Sequence, residues 1–242
     1  MPDPSPELFF NAGHGIFPHP GVAGDNGLLA ISEALCADDI LLAYRFGIFP
    51  WNNPGEPIVW WAPDPRWIII PEDINIHKSM RSLLNGSRLE LRVDTHFEAV
   101  LDGCSGAGSG TRSETWIEDR IRSAYGELFD RGHAHSFEVW EDGKIVAGFY
   151  GVNMGDVFVG ESMFTSISNG SKYALIKACS FFNYLGIRIV DCQLHSEHVE
   201  RMGAIPVSRQ DYLTFLRRRG FIRIELVGKW TQLLQHFQNK SG

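Results

Sequence analysis

The stretch from residue 135 to residue 193 constrains the fold of this chain more than any other part. Its strands show period-two alternation and a hairpin turn at Asp142-Gly143, and its helix has a broad apolar face. The expected elements are strands over 135–140, 144–152 and 157–164, a helix over 171–185 and a strand over 187–193. Antiparallel hairpins joined through a crossover helix to another strand predict a mixed sheet with flanking helices, in the α/β or α+β class.

The 242 residues are enough for one large domain or two smaller ones. Residues 1–25 are rich in Pro and Gly without periodicity, which predicts a surface arm. A Trp- and Pro-rich first part gives way to the regular pattern near residue 75. We therefore predict an N-terminal domain over residues 1–75, arm included, and a second domain over residues 76–242.

Two local patterns predict helix starts and stops. Residues 38–46 place apolar side chains on one face and are followed by Gly47, so a helix is expected to end there. Thr95 and Glu98 have the spacing of a capping box that opens a second helix.

The composition is that of an ordinary soluble protein, with 44% hydrophobic and 21% charged residues. The chain has no apolar run near the roughly 18 residues of a membrane span, and its first residues lack the pattern of a signal peptide. The four cysteines are scattered, which predicts reduced thiols and a cytoplasmic location. A net charge of −7 argues against a large nonspecific nucleic-acid footprint, although a local patch can still contact one end of a nucleic acid.

The strand over residues 187–193 ends in two polar residues, Asp191 and Gln193. Because side chains alternate across a strand, these two should share a face, about 7 Å apart at a rise of roughly 3.3 Å per residue. The Gln193 amide could then donate to the Asp191 carboxylate and leave its carbonyl oxygen as an oriented acceptor. The alternative is a strand that runs out into solvent with both residues hydrated.

Glu161 also lies at the end of an apolar strand, directly after Gly160. Glycine at this position suggests the close approach of a backbone or a ligand. If this strand neighbours residues 187–193, Glu161 converges with Asp191 and Gln193. Two carboxylates and an amide suit the binding of an ammonium group and its deprotonation before attack on a carbonyl. The alternative is a salt-bridged glutamate at a sheet end.

Other common sites are not indicated. His133 and His135 form a His-x-His pair, but no nearby carboxylate or cysteine completes a metal site, so none is predicted. The chain has no Gly-x-Ser-x-Gly elbow, Walker loop or Rossmann fingerprint. Two groups of basic residues can contact phosphates or form solvated faces: Lys78, Arg81, Arg88 and Arg92, and the run over 217–219.

Several longer motifs resemble, in order, those of bacterial leucyl/phenylalanyl-tRNA–protein transferases. The match extends from about residue 26 to residue 215. The motifs are Asn26-Gly27-Leu28-Leu29-Ala30, Leu42-Ala43-Tyr44, Gly47-Ile48-Phe49-Pro50-Trp51, Trp60-Trp61-Ala62-Pro63-Asp64-Pro65-Arg66, Thr115-Trp116-Ile117, residues 132–140, Gly160-Glu161-Ser162-Met163-Phe164, Ser171-Lys172 and Asp191-Cys192-Gln193.

The resemblance implies an aminoacyltransferase that moves Leu, Phe or, less readily, Met from aminoacyl-tRNA to the α-amine of a protein beginning with Arg or Lys. The product would carry an N-degron that marks it for protein degradation. The resemblance also implies a small N-terminal domain, a C-terminal domain of the GNAT (N-acyltransferase) fold, and no metal or soluble cofactor. We expect a monomer that acts without a membrane.

Site residues follow from the same resemblance. Gln193 matches the proposed base-like acceptor for the α-ammonium, Asp191 its polarising partner, and Glu161 a residue of the acceptor site. Trp51 and Trp116 match the tryptophans that hold the terminal adenosine of the tRNA. The residues that match the apolar pocket for the transferred side chain are Phe149, Met163, Leu175, Phe182 and Val190.

The chain departs from the family pattern in places. Residues 32–36 replace the usual Gly-Gly-Asp-Leu-Ser, so that Cys36 stands as a weak helix N-cap. Two alternative functions stay open. The first is an acyl-CoA-dependent N-acetyltransferase, although residues 166–172 lack the spacing of a pyrophosphate-binding turn. The second is a noncatalytic adaptor for N-terminal Arg or Lys.

Overall fold

The computed structural model describes residues 17–53, 55–106, 119–219 and 222–241. Its strands are β1 Leu28–Ser32, β2 Phe49–Pro50, β3 Ile58–Trp61, β4 Arg66–Ile69, β5 Glu90–Val93, β6 Ala134–Glu141, β7 Lys144–Met154, β8 Val157–Thr165, β9 Ile189–Gln193 and β10 Ile205–Val207. Its helices are α1 Ala37–Arg45, α2 Arg81–Asn85, α3 Phe97–Cys104, α4 Asp119–Asp130, α5 Gly170–Leu185, α6 Glu197–Arg201, α7 Arg209–Arg219 and α8 Thr231–Ser241. Within the described ranges, no helix is both long enough and apolar enough to cross a bilayer.

The strands form two sheets. A small sheet has the order β1-β3-β2, and a large sheet has the order β10-β4-β9-β8-β7-β6-β5. Strands β8 and β9 are parallel, and every other neighbouring pair in the large sheet is antiparallel. Hairpins join the antiparallel neighbours, and the crossover through α5 makes β9 parallel to β8, so the sheet is mixed. The predicted α/β class with flanking helices is therefore confirmed.

Both faces of the large sheet are covered. Val157 and Val159 of β8 pack into a core shared with α1, α3, α4 and the small sheet. Phe158, between them, points to the opposite face and packs with α5, Trp230 and the apolar side chains of β5. Because both faces are buried, the strands at the centre of the sheet carry apolar residues in continuous runs.

Strand β4 connects the first part of the chain to the large sheet. It pairs with β9 on one side and with β10 on the other. The small sheet, by contrast, contains only strands that precede residue 62. The boundary near residue 75 stays a prediction, but the sheet partners of β4 favour a division just before Arg66.

The predicted capping box at Thr95 and Glu98 is wrong. Thr95 donates from its backbone N and from Oγ1 to the Glu138 carboxylate, at 3.2 and 2.6 Å. Glu98 instead forms an ion pair with Arg122, and α3 begins with no side-chain cap from His96. Glu138 is fully buried in β6, so its need for donors outweighs the local preference of Thr95.

Candidate active site

The centre of the large sheet opens where β8 and β9 part. The two parallel strands pair from Val157–Ile189 to Val159–Asp191. Beyond that point β8 stays with β7, and β9 stays with β4. A cavity of about 390 Å³ lies in the gap, with Glu161 and Asp191 in its wall. The predicted adjacency of the two strand ends is therefore confirmed.

Each strand carries a bulge at this opening. In β8, Ser162 pairs with Tyr150 and Gly160 pairs with Gly151, so Glu161 is an extra residue. A bulge interrupts the alternation of side chains and re-aims the residue it contains. No close backbone approach requires glycine at position 160, because a Cβ there would lie 3.5 Å from the nearest atom, the Asp191 carbonyl oxygen, which is an ordinary contact.

The bulge in β9 changes the predicted relation between Asp191 and Gln193. Trp67 pairs with Gln193 and Ile68 with Asp191, so Cys192 is the extra residue. In addition, Gln193 has a φ of 63°, in the left-handed region. Simple strand alternation therefore fails here, and the two side chains have different partners.

Asp191 is completely buried and saturated with donors. Arg66 forms a bidentate pair with it, from Nε to Oδ1 at 2.8 Å and from Nη2 to Oδ2 at 2.6 Å. The Tyr212 hydroxyl donates to Oδ2 at 2.6 Å, and the backbone N of Gln193 donates to Oδ1 at 2.9 Å. Burial is the largest single influence and lowers the pKa of the Arg66 guanidinium, but the charge and hydrogen bonds of Asp191, together with Tyr212 and Tyr44, raise that pKa above its ordinary value.

The Gln193 side-chain amide points to Glu161 rather than to Asp191, which corrects the predicted hydrogen bond. Its Nε2 lies 3.5 Å from Glu161 Oε2, a long contact that the bulged strands allow. Asp191 instead contacts Gln193 through the backbone. The prediction that Asp191 polarises the Gln193 amide is therefore wrong in its geometry, although all three residues do meet.

Glu161 is partly buried, and its carboxylate is held by tyrosines. Tyr44 of α1 donates to Glu161 Oε1, and the Tyr44 and Tyr125 hydroxyls are 2.7 Å apart. Burial raises the pKa of Glu161 to about 7, although the hydrogen bonds from Tyr44, Tyr125 and Gln193 act to lower it, and the charge of Asp191 raises it further. Both protonation states of Glu161 are therefore populated near neutral pH.

Tyr44 and Tyr125 were not predicted as site residues. Both are almost fully buried, and burial together with the Glu161 charge raises the pKa of each hydroxyl well above its ordinary value. They are therefore neutral hydrogen-bond donors at physiological pH. The sequence offered one signal for Tyr44, because it belongs to the motif Leu42-Ala43-Tyr44 of the family resemblance. It offered no signal for Tyr125, because helical periodicity predicts only that this side chain is buried in the core.

Four of the five residues predicted for the amino-acid pocket line the cavity. They are Phe149, Met163, Leu175 and Val190. Phe182 does not line it: its ring is fully buried and packs 4.6 Å from Phe158, in the aromatic core behind the cavity. Its position on the apolar face of α5 was predicted correctly, but periodicity cannot tell the wall of a cavity from the core behind it.

The two tryptophans predicted to hold adenosine have different outcomes. Trp51 is 44% exposed beside the small sheet, with its ring 5.9 Å from that of Trp61. Trp61 fixes this segment by donating from Nε1 to the Trp51 carbonyl oxygen at 2.7 Å. Trp116 lies outside the described residues. An exposed, supported ring such as Trp51 is available for stacking, and both assignments stay predictions.

No group of three or more His, Cys, Asp or Glu side chains suited to a metal ion occurs in the described part of the chain. The carboxylates of the cavity instead have Arg66 and tyrosine hydroxyls as partners.

Comparisons with known proteins cover almost the whole chain. Residues 68–217 match the family model described as leucyl/phenylalanyl-tRNA protein transferase, and residues 33–64 match the model of its N-terminal domain. The chain belongs to the leucyl/phenylalanyl-tRNA–protein transferase family. The two matched regions meet between residues 64 and 68, where strand β4 begins.

Relatives in this transferase family share about two fifths of the residues. A leucyl/phenylalanyl-tRNA–protein transferase of Syntrophus aciditrophicus (strain SB) is 41% identical, over 89% of this chain and 90% of the relative. A transferase of the same name from Thiobacillus denitrificans (strain ATCC 25259 / T1) is 42% identical, over 93% of this chain and 98% of the relative. A solved GCN5-related N-acetyltransferase from Kribbella flavida is 11% identical to this chain, with a TM-score of 0.38 over 74% of this chain and 63% of that protein.

Proposed function

We propose that this chain transfers leucine or phenylalanine from tRNA to the α-amine of a protein. The names of its relatives state the donor and the acceptor classes. The observation that carries the proposal is the position of the Glu161 carboxyl group in the wall of a largely apolar cavity, where burial raises its pKa to about 7. Such a site suits an amine nucleophile and an apolar side chain together.

Glu161 is the proton acceptor in this proposal. The α-ammonium of a protein has an ordinary pKa of about 7.7 to 8.0, so a proton passes from it to Glu161 at little cost. The free amine then attacks the ester carbonyl carbon, a C–N bond forms, and the bond to the 3′-oxygen of the tRNA breaks. That oxygen leaves with a second proton from the nitrogen, and Glu161 releases the first to solvent.

Gln193 orients the amine in this scheme. A neutral amide is a poor base, and its Nε2 faces Glu161, which leaves the carbonyl oxygen free to accept from the ammonium. Since an aminoacyl ester is already activated, no covalent enzyme intermediate is needed, and positioning supplies much of the rate.

The apolar part of the cavity takes the transferred side chain. Phe149, Met163, Leu175 and Val190 offer aromatic, thioether and branched surfaces but no charged group. A pocket of this kind discriminates by shape, so it accepts Leu and Phe and, less readily, Met.

The remaining features of the proposal rest on the family resemblance. They are acceptors that begin with Arg or Lys, a product that is an N-degron, adenosine stacking on Trp51 and Trp116, and a cytoplasmic monomer that needs no cofactor. Family membership favours this function over the acetyltransferase and the adaptor.

The test is incubation with Leu-, Phe- or Met-tRNA and an Arg-initiated peptide, followed by mass spectrometry. A gain of one aminoacyl residue at the N-terminus is expected, and the same peptide with a blocked α-amine is the control. Acetylation of the peptide from acetyl-CoA would support the acetyltransferase instead. Peptide binding without transfer from any of the three tRNAs would support the adaptor.

A further inference from the structure

We propose that Arg66 and Tyr212 are positioning residues for the transfer reaction and that they act on Gln193 through Asp191. The proposal rests on the proposed function, since it assigns how the acceptor side of that site is held. Neither side chain lines the cavity, so neither is a catalytic residue.

Arg66 brings four segments of the chain together at Asp191. Its guanidinium lies 4.6 Å from the centre of the Phe49 ring and 5.1 Å from that of Tyr212, and Nη1 donates to the Gly47 carbonyl oxygen at 3.2 Å. Its remaining donors form the bidentate pair with Asp191. A planar guanidinium binds both carboxylate oxygens through two parallel N–H bonds while it lies against aromatic rings, and the lysine ammonium, a compact point charge, does not reproduce this geometry.

Asp191 transmits this arrangement to Gln193. Its Oδ1 accepts from Arg66 Nε and from the backbone N of Gln193, so one oxygen fixes both. Gln193 adopts a left-handed backbone, which a side chain other than glycine seldom keeps unless its surroundings hold it there. That backbone directs the Gln193 amide to Glu161. If Asp191 rotates, the hydrogen bond that maintains this conformation weakens and Gln193 moves away from the reacting amine.

The same arrangement engages both carboxylate oxygens of Asp191. Two arginine donors, a tyrosine hydroxyl and a backbone N–H occupy its oxygens, and the residue is completely shielded from solvent. Its oxygens hold Arg66, Tyr212 and the Gln193 backbone, and the carboxyl group that the Gln193 side-chain amide contacts is Glu161.

The test uses Arg66→Lys and Tyr212→Phe in the peptide-transfer assay. Arg66→Lys keeps the charge but loses the fork, and we expect kcat to fall about 10- to 100-fold, as for a misplacement of roughly 1 Å. Tyr212→Phe removes one hydroxyl and should lower kcat about 3- to 10-fold. The KM for aminoacyl-tRNA should stay within about twofold in both, because the donor side is untouched.

The matched control is Arg223→Lys. Arg223 also joins a carboxylate to a backbone carbonyl oxygen, with Nε 2.9 Å from Glu225 Oε1 and Nη1 2.9 Å from the Leu185 carbonyl oxygen, but it does not line the cavity. Its kcat should equal that of the wild type. The control shows whether loss of any arginine with such partners disturbs transfer.

A double-mutant cycle with Gln193→Ala distinguishes positioning from mere folding. In the Gln193→Ala background, followed under single-turnover conditions, Arg66→Lys and Tyr212→Phe should cause little further loss. Unchanged kcat in the Tyr212→Phe variant, or equal losses with and without Gln193, would overturn the proposal. If Arg66→Lys does not fold, Tyr212→Phe decides alone through its kcat and KM. Absence of transfer by the wild-type chain would instead refute the proposed function.

Discussion

The hydrogen bond from Tyr44 to Glu161 gives a direct test of the proton acceptor. Tyr44→Phe removes a hydroxyl that favours the ionised carboxylate, so the pKa of Glu161 should rise above its value of about 7. A hydrogen bond to a charged group is worth about 1.5 to 3 kcal/mol, and a tenfold change in proton affinity corresponds to about 1.4 kcal/mol. The pKa should therefore rise to about 8 or 9.

The consequence for the rate depends on the ionised fraction of Glu161. At pH 7 about half of the wild-type carboxyl groups are ionised, since the pKa is about 7. With a pKa of about 8 or 9, the fraction falls to about one tenth or one hundredth, so transfer at pH 7 should be about 5- to 50-fold slower. The transfer rates of the wild type and of Tyr44→Phe should converge as the pH rises.

The assay is single-turnover transfer from Phe-tRNA to an Arg-initiated peptide between pH 5.5 and 8.5, quenched at short times to limit ester hydrolysis. The α-amine of the peptide also titrates in this range, but it is common to all the enzymes, so the difference between profiles reports Glu161. Tyr184→Phe is the matched control, because Tyr184 is 41% exposed on α5 and does not line the cavity.

Superimposable pH profiles for Tyr44→Phe and the wild type would refute the assignment of Glu161 as the proton acceptor. A wild-type rate that does not change with pH would refute it as well.

Three further predictions concern single side chains. Because the pKa of Glu161 in the fold lies above its ordinary 4.5, the wild-type chain should lose up to about 3 kcal/mol of stability as pH rises from about 4.5 through about 7. In urea unfolding at several pH values, Glu161→Gln should not show this loss of stability, and it should abolish most transfer. Equal pH dependence of stability in both chains would contradict the raised pKa of Glu161. Met163→Ala, at a position 36% exposed, should reduce kcat/KM for Leu-tRNA about 10-fold more than for Phe-tRNA, and a uniform effect would argue against Met163 as pocket wall. Trp51→Ala should raise the KM for aminoacyl-tRNA about 5- to 150-fold if adenosine stacks there, whereas an unchanged KM would exclude that contact.

Periodic patterns predicted the regular elements well. The helix expected over 38–46 is α1, Ala37–Arg45, and the helix expected over 171–185 is α5, Gly170–Leu185. Both have a broad apolar face and a glycine just beyond the last turn, which are properties of the local sequence. The final helix, α8, was not predicted, because its segment is mostly polar and only Leu233, Leu234 and Phe237 form its apolar face.

The sequence also located the residues of the site, but not the contacts among them. Strand-end polarity and motif resemblance identified Glu161, Asp191 and Gln193, and the parallel pairing of β8 with β9 brought them together. Two bulges and a left-handed backbone at Gln193 then determined which side chains meet. Bulges arise from the register of neighbouring strands, and a single strand does not encode the register of its partners.

What the sequence determined by itself was the set of helices and strands, the mixed sheet they imply and the chemical types at its open end, because these depend on local spacing and side-chain polarity. The tertiary structure alone decided that Arg66 and Tyr212 donate to the Asp191 carboxylate, and that Tyr44 and Tyr125 hold a Glu161 with a pKa of about 7. The physical reason is that a pKa and a hydrogen-bond partner depend on burial and on residues far away in the chain, 125 positions apart for Arg66 and Asp191.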